Sequence, residues 1–279
     1  MKIAIIYICT GKYDVFWDEF YESSEKYFYP GSEKHYFVFT DSKRMLELKA
    51  SNVHQYYQCK SGWPYDTLLR FNWICTVQDK LAEFDYCYFC NANSLFLKEV
   101  DQNLIPLPSK ETPLILSIHV RSYEDTTGEL SSPERNPLST AYVPEGAYCR
   151  AHSGGFWGGL SEDFLLMCRT LRDRIAQDLN NGIVAIWHDQ SHLIKYATEV
   201  KHCNVAKGVV ASEEYADMSI CAMIYRNKDH YGGNDALRDI DLIGRVKHFP
   251  KKCYSKILAV LAKVKLDKLL RKIVHLIKK

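Results

Sequence analysis

The sequence predicts an α/β protein built on a mostly parallel sheet. Three observations lead there. Short apolar runs of strand length alternate with segments whose apolar residues recur at helical spacing. No stretch of about 18 uncharged apolar residues is present to span a membrane. The composition, 47% hydrophobic and 25% charged over 279 residues, is that of a folded domain and excludes a disordered, collagenous or disulfide-scaffold chain.

Residues 3–9 form a continuous apolar run that reads as a first buried strand. They also resemble a short signal peptide, but no small-residue cleavage site follows. Phe16, Phe20, Ser24 and Tyr27 give residues 14–27 a helical spacing. Residues 36–40 are a second buried strand and residues 53–58 a third. A turn at Trp63-Pro64 leads into a helix over 67–84. Strands follow at 86–90 and 114–118, with a long surface loop over 126–144, rich in Ser, Pro and Gly. Residues 154–160 read as a strand or tight turn, Ser161 as the cap of a helix running to about residue 180, and 190–198 as a shorter helix. Neither a G-x-G-x-x-G fingerprint nor a P-loop is present.

The ten cysteines follow no disulfide framework, and unpaired cysteines in such number favour a reducing compartment. Cys87 and Cys90 are three apart on a strand, so they point to opposite faces and do not form a redox or zinc pair. The charge is uneven: residues 251–279 carry a local +9, the rest −7. A mildly acidic body argues against a nucleic-acid enzyme. In the tail, Leu266, Leu269, Leu270, Ile273, Leu276 and Ile277 share one side of a helical wheel and Lys or Arg residues the other. That pattern suits a helix lying on an anionic membrane surface, or one packed on the body or a partner. The expected division is a body over 1–245 and a basic amphipathic helical tail over 246–279, with the protein cytoplasmic and peripherally membrane-associated.

Three stretches carry candidate chemistry. Asn91-Ala92-Asn93 follows an apolar strand, where ligands of open α/β sheets bind and two amides could bond a nucleotide sugar; a plain turn is the alternative. Gly154-Gly155-Phe156-Trp157-Gly158-Gly159 allows close backbone approach to a ligand, or a bulged strand. Trp187-His188-Asp189-Gln190-Ser191-His192 sets an aromatic, an imidazole and a carboxylate just before a helix, as a sugar site needs. His188 and His192 are one helical turn apart but lack a nearby third ligand for zinc.

Together with Tyr36-Phe-Val-Phe-Thr-Asp41 and Tyr142-Val-Pro-Glu145, the glycine-rich and Trp-His-Asp stretches resemble glycosyltransferase family six, which includes the blood-group A and B transferases and α-1,3-galactosyltransferase. The resemblance runs from Ile3 to about Gly233 and leaves out the tail. It implies a GT-A fold and retaining transfer of galactose or N-acetylgalactosamine from a UDP-sugar to the 3-hydroxyl of a terminal β-galactoside. By the resemblance Ile8, Cys9, Thr10 and Tyr13 hold uridine, and Arg70 lies on the donor side. His188 and Asp189 contact the donor sugar; His119 and Trp187 contact the acceptor. Gly154 and Gly155 lie against the sugar's second carbon, where glycine leaves room for an acetamido group. That favours UDP-GalNAc as donor over UDP-Gal.

Two positions depart from the animal members. Asn91 and Asn93 stand where those enzymes have the Asp-x-Asp that binds manganese, as in the metal-independent bacterial members. No metal or other cofactor is therefore expected, and Arg226 or Lys228 would supply the missing positive charge at the leaving diphosphate. Gln190 stands where the family has Glu, the candidate nucleophile or transition-state stabiliser, and an amide cannot carry that negative charge. Three readings stay open: natural substrate-assisted front-face transfer, a glycan-binding protein of little activity, or a form altered to hold donor and acceptor together. Expected partners are a UDP-GalNAc donor, a terminal β-galactoside acceptor (fucosylated, as in blood-group synthesis), and an anionic membrane surface, with no nucleic acid.

Overall fold

The structure is a computed structural model describing residues 1–119 and 132–239, which fall in two units, Met1–Asn227 and the part of Lys228–Lys279 up to residue 239. The membrane-tail reading concerns residues outside those described. Within the second unit a single turn, Lys228–Tyr231, precedes the short helix Gly233–Leu237.

The first unit carries seven strands of one sheet: β1 (Lys2–Ile8), β2 (Glu33–Thr40), β3 (Val53–Tyr57), β4 (Tyr86–Cys90), β6 (Leu114–Ile118), β7 (His152–Leu160) and β8 (His202–Asn204). They lie in the order β3-β2-β1-β4-β7-β6-β8. Every neighbouring pair is parallel except those made by β7, which runs against both β4 and β6. The carboxyl ends of β1, β4 and β6 and the amino end of β7 therefore share one edge. A small sheet joins β5 (Ser94–Phe96), β10 (Met223–Tyr225) and β9 (Val210–Ser212) in the order β5-β10-β9.

Strand alternation divides the core in two. Ile3, Ile5, Tyr7, Tyr88, Cys90 and Phe156 pack with Trp17 and Phe20 of helix α1 (Trp17–Tyr27). Ala4, Ile6, Cys87, Phe89 and Trp157 pack with Phe71 and Ile74 of α4 (Arg70–Cys75), Phe164 and Leu171 of α6 (Ser161–Asn180) and Leu193 of α7 (Asp189–Ala197). Trp157 stacks between Phe89 and Phe164, with ring centroids 5.0 and 5.1 Å away. Cys87 and Cys90 sit on opposite faces, as their spacing requires.

Three expectations are corrected. Residues 67–84 form not one helix but the short α3 (Tyr65–Leu68), α4 and α5 (Gln78–Leu81). The backbone leaves helical dihedrals at Leu69 (φ −86°, ψ 1°) and Val77 (φ −118°, ψ 16°), and bonds there tighten to the third residue back, as from Asn72 N–H to Leu69 O and from Lys80 N–H to Val77 O. Ser161 is not a cap: α6 has no side-chain cap bond, and Ser161 Oγ shares a hydrogen with Cys87 Sγ at 3.3 Å. The described part of the 126–144 loop, from residue 132, is built into the fold, with Glu134, Ser139, Ala141 and Val143 buried. Asp178 of α6 holds it by accepting from Ser139 Oγ and, at 2.7 Å, from the Thr140 N–H.

Candidate active site

The site grows from the shared edge of the sheet. After β1 the chain turns through Cys9 and Thr10. Cys9 N–H donates to Phe39 O at 2.9 Å, Cys9 O accepts from Thr40 Oγ1 at 2.9 Å, and Gly11 N–H donates to Asp41 Oδ1 at 2.8 Å. The Cys9 thiol is buried, which pushes its pKa up to about 12, so the segment offers backbone and not a thiolate. Ile8 ends β1 half-buried, and Tyr13 opens the next turn with its ring 6.3 Å from that of Phe16.

Beyond β4 the chain makes the Asn91-Ala92-Asn93 turn. Tyr7 donates its phenol to Ala92 O at 2.8 Å, fixing the turn from beneath. Asn93 is buried and donates Nδ2 to the carbonyl of Arg226 at 2.7 Å, which orients its own Oδ1 to accept from Asn91 Nδ2 at 2.7 Å. Arg226 N–H returns a bond to Asn93 O at 2.8 Å. The Arg226 guanidinium pairs with Glu19 and lies 5.7 Å from the Phe16 ring, so it runs from the Asn turn to the segment after β1.

The amino end of β7 lies between this turn and α7. Gly155 O accepts from Asn91 N–H at 2.8 Å. Arg70, on α4, donates Nη1 to Gly154 O at 2.8 Å and Nε to Thr67 O at 3.1 Å, and covers the Phe89 ring at 4.6 Å. The same Nη1 lies 3.3 Å from Asp189 Oδ2, with both side chains buried. Burial raises the Asp189 pKa although Arg70 and His188 pull it down. A Cβ on Gly154 would stand 3.3 Å from Asp189 Oδ2 and 3.9 Å from Gln190 Cβ. Arg70, Gly154, Asp189 and Gln190 are thus one group.

His188 makes this possible by adopting φ +54°, ψ −127° at the start of α7, a conformation costing about 1–3 kcal/mol in a non-glycine residue. Its ring meets Trp63 edge-on at 4.7 Å. Trp187 is 48% exposed and donates Nε1 to Ser132 O at 3.0 Å. His119, exposed at the end of β6, donates its N–H to Ala151 O at 2.8 Å. Lys228 belongs to the second unit.

The two glycine pairs have different reasons to be glycine. Gly158 abuts Tyr88, where a Cβ would come within 2.3 Å of the ring, so this pair serves packing. At Gly155 a Cβ would point at Tyr225, 2.6 Å from Cζ. Tyr225 carries no sequence signal, being one aromatic at the end of a short strand. Glu134 is a second residue sequence reasoning missed. It accepts from the Ile186 N–H at 2.7 Å and so holds the loop that carries Trp187 to Gln190.

Asn91 and Asn93 are both neutral, and the Asn93 amide is engaged at both ends, whereas hard cations seek carboxylate oxygens.

A family model described as glycosyltransferase family 6 matches residues 1–219. The chain is 34% identical over 232 residues to the O-antigen biosynthesis glycosyltransferase WbnI of Escherichia coli, covering 82% of this chain and 96% of that protein. It is 27% identical over 205 residues to the histo-blood group ABO system transferase 1 of Rattus norvegicus. It is also 27% identical over 203 residues to the globoside alpha-1,3-N-acetylgalactosaminyltransferase 1 of Homo sapiens. Each of these two alignments covers 70% of this chain and 56% of the mammalian protein. The sheet order, the edge on which the motifs converge and these matches agree: the chain belongs to glycosyltransferase family 6.

Proposed function

We propose that this glycosyltransferase moves N-acetylgalactosamine from UDP-GalNAc, with retention of configuration, in α-1,3 linkage to a terminal, fucosylated β-galactoside, without a metal ion. The observation that carries the reading is the junction at Gly154-Gly155, where the Arg70–Asp189 pair, Gln190 and the Asn turn meet. The name of the human globoside relative supports the choice of sugar. Ile8 to Tyr13 hold uridine, and Arg70, His188 and Asp189 hold the donor sugar. Arg226 offsets the charge of the departing diphosphate. Trp187 and His119 position the acceptor.

Gln190 is neutral, so no glycosyl-enzyme ester forms on it. The bond from the sugar's first carbon to the phosphate oxygen breaks, and UDP leaves with the electron pair. The acceptor hydroxyl attacks from the same face, and its proton passes to the departing phosphate oxygen. The Gln190 carbonyl oxygen faces the developing positive charge with only a dipole, which makes the reaction slow. The tail over 246–279 holds the protein on an anionic cytoplasmic membrane surface, supported by its sequence pattern. Incubation with UDP-GalNAc or UDP-Gal and a fucosylated β-galactoside tests the reading. Transfer of N-acetylgalactosamine is expected, and faster transfer of galactose would overturn the choice of donor.

A further inference from the structure

Residues 186–190 are held from two sides. On one side, Arg70 of α4 donates to Gly154 O and pairs with Asp189, and Trp63 meets the His188 ring. On the other, a short loop over 132–143 grips the two residues that come first. Glu134 is buried, and both its carboxylate oxygens accept from backbone: Oε1 from the Asn136 N–H at 2.8 Å, and Oε2 from the Ile186 N–H at 2.7 Å. One residue on, the Trp187 indole N–H donates to Ser132 O at 3.0 Å. Two adjacent residues are thus bonded to one loop, Ile186 through its backbone and Trp187 through its side chain. The loop is anchored in turn. Val143 N–H donates to Glu134 O at 3.0 Å, Asp178 accepts from Ser139 Oγ and Thr140 N–H, and Val143 packs with Ile194 of α7. Hydrogen bonds to a charged group are roughly twice as strong as neutral ones, which suits Glu134 to holding backbone that has no regular ladder. What this grip fixes is an exposed indole and not a core side chain.

We infer that Glu134 is a positioning residue for the acceptor, fixing the Trp187 ring through Ile186 and the Ser132 end of the loop, while the Arg70–Asp189 pair supports the donor side separately. The inference rests on the acceptor reading of Trp187 above. The two substrates then depend on different supports, although Trp187 and Asp189 are two residues apart. Loosening the loop harms the acceptor and spares the nucleotide.

The test is Glu134→Gln, which keeps the side chain's volume but leaves one accepting oxygen in place of two. Calorimetry, which does not require turnover, measures UDP and a fucosylated β-galactoside on the unmodified chain and the variant, the glycan with and without UDP. Glycan affinity is expected to fall about fivefold or more, the value of one lost bond to a charged group, and UDP affinity to stay within about twofold. A merely structural role would weaken both alike. The second readout is solvent exchange of the Trp187 indole proton by NMR, assigned among the five tryptophans with Trp187→Phe. It is expected to exchange about fivefold faster or more in Glu134→Gln, with the other four indole protons unchanged. An equal fall in both affinities, no fall in either, or an unmoved Trp187 indole proton overturns the inference. If the unmodified chain binds UDP but no β-galactoside, the acceptor reading fails, and the indole proton alone decides whether Glu134 fixes Trp187. If it binds no UDP, the donor reading fails, and the glycan and indole readouts decide. Should Glu134→Gln not fold, Glu134→Asp, which keeps the charge on a side chain one methylene shorter, is held to the same outcomes.

Discussion

Arg70→Ala probes the junction at its most buried point. Arg70 and Asp189 have side-chain exposures of 8% and 10%, and their closest atoms are 3.3 Å apart. At that separation, with an effective dielectric of about 20, their attraction is about 5 kcal/mol, against which the cost of desolvating both groups is set. Removing the arginine leaves a buried carboxylate without its cation and strips Gly154 O and Thr67 O of a donor. The expected loss at pH 7.5 is about 3–5 kcal/mol of folding stability, a large share of the roughly 5–15 kcal/mol a domain has. The loss has a pH signature. Burial already raises the Asp189 pKa, and without Arg70 it rises further. A carboxyl with a raised folded pKa gives stability that is present at acid pH and lost as pH climbs through that pKa. The gap between unmodified chain and variant should therefore be widest at pH 7.5 and narrow toward pH 4.5. Urea unfolding at both pH values measures it, and groups common to both proteins cancel. A gap below about 1 kcal/mol at pH 7.5, or one of equal size at both pH values, would refute the reasoning.

Three further outcomes follow from the same description. Burial holds the pKa of His152 down at about 3 and lowers that of His192, so both contribute stability above their unfolded value that is lost as pH falls. His152 should cost about 2 kcal/mol between pH 6.5 and 5.0, and His152→Asn should remove that loss; an unchanged pH dependence contradicts this. UDP affinity should move by less than about threefold between EDTA and manganese, and a gain of about tenfold with manganese would mean that the Asn turn does hold an ion. Deleting residues 246–279 should abolish pelleting with anionic vesicles while leaving the melting of the body unchanged; equal pelleting of both forms would favour a packing role for the tail.

The strands were legible because a buried parallel strand is a continuous apolar run, as residues 3–9 and 86–90 are. The helical region after Trp63 was not, because its breaks are local departures of the backbone at Leu69 and Val77, which side-chain periodicity does not register. The site divides in the same way. Arg70, Asn91, Gly154 and Asp189 lie in motifs, and the sheet brings them to one edge. Tyr225 reaches that edge only because β10 returns across about 130 residues to pair with β5. Glu134 and Asp178 support the site through loop backbone N–H groups, for which no sequence pattern exists.

The most direct test of the central claim, retaining sugar transfer at this edge, is the anomeric configuration of the product. UDP-GalNAc and a fucosylated β-galactoside are incubated with the unmodified chain and with Gln190→Glu, and the new linkage is read from its proton NMR coupling. An α-linked product is expected from both, formed more slowly by the unmodified chain because Gln190 offers a dipole where a carboxylate would offer a charge. A β-linked product, or no product from either protein, would contradict it.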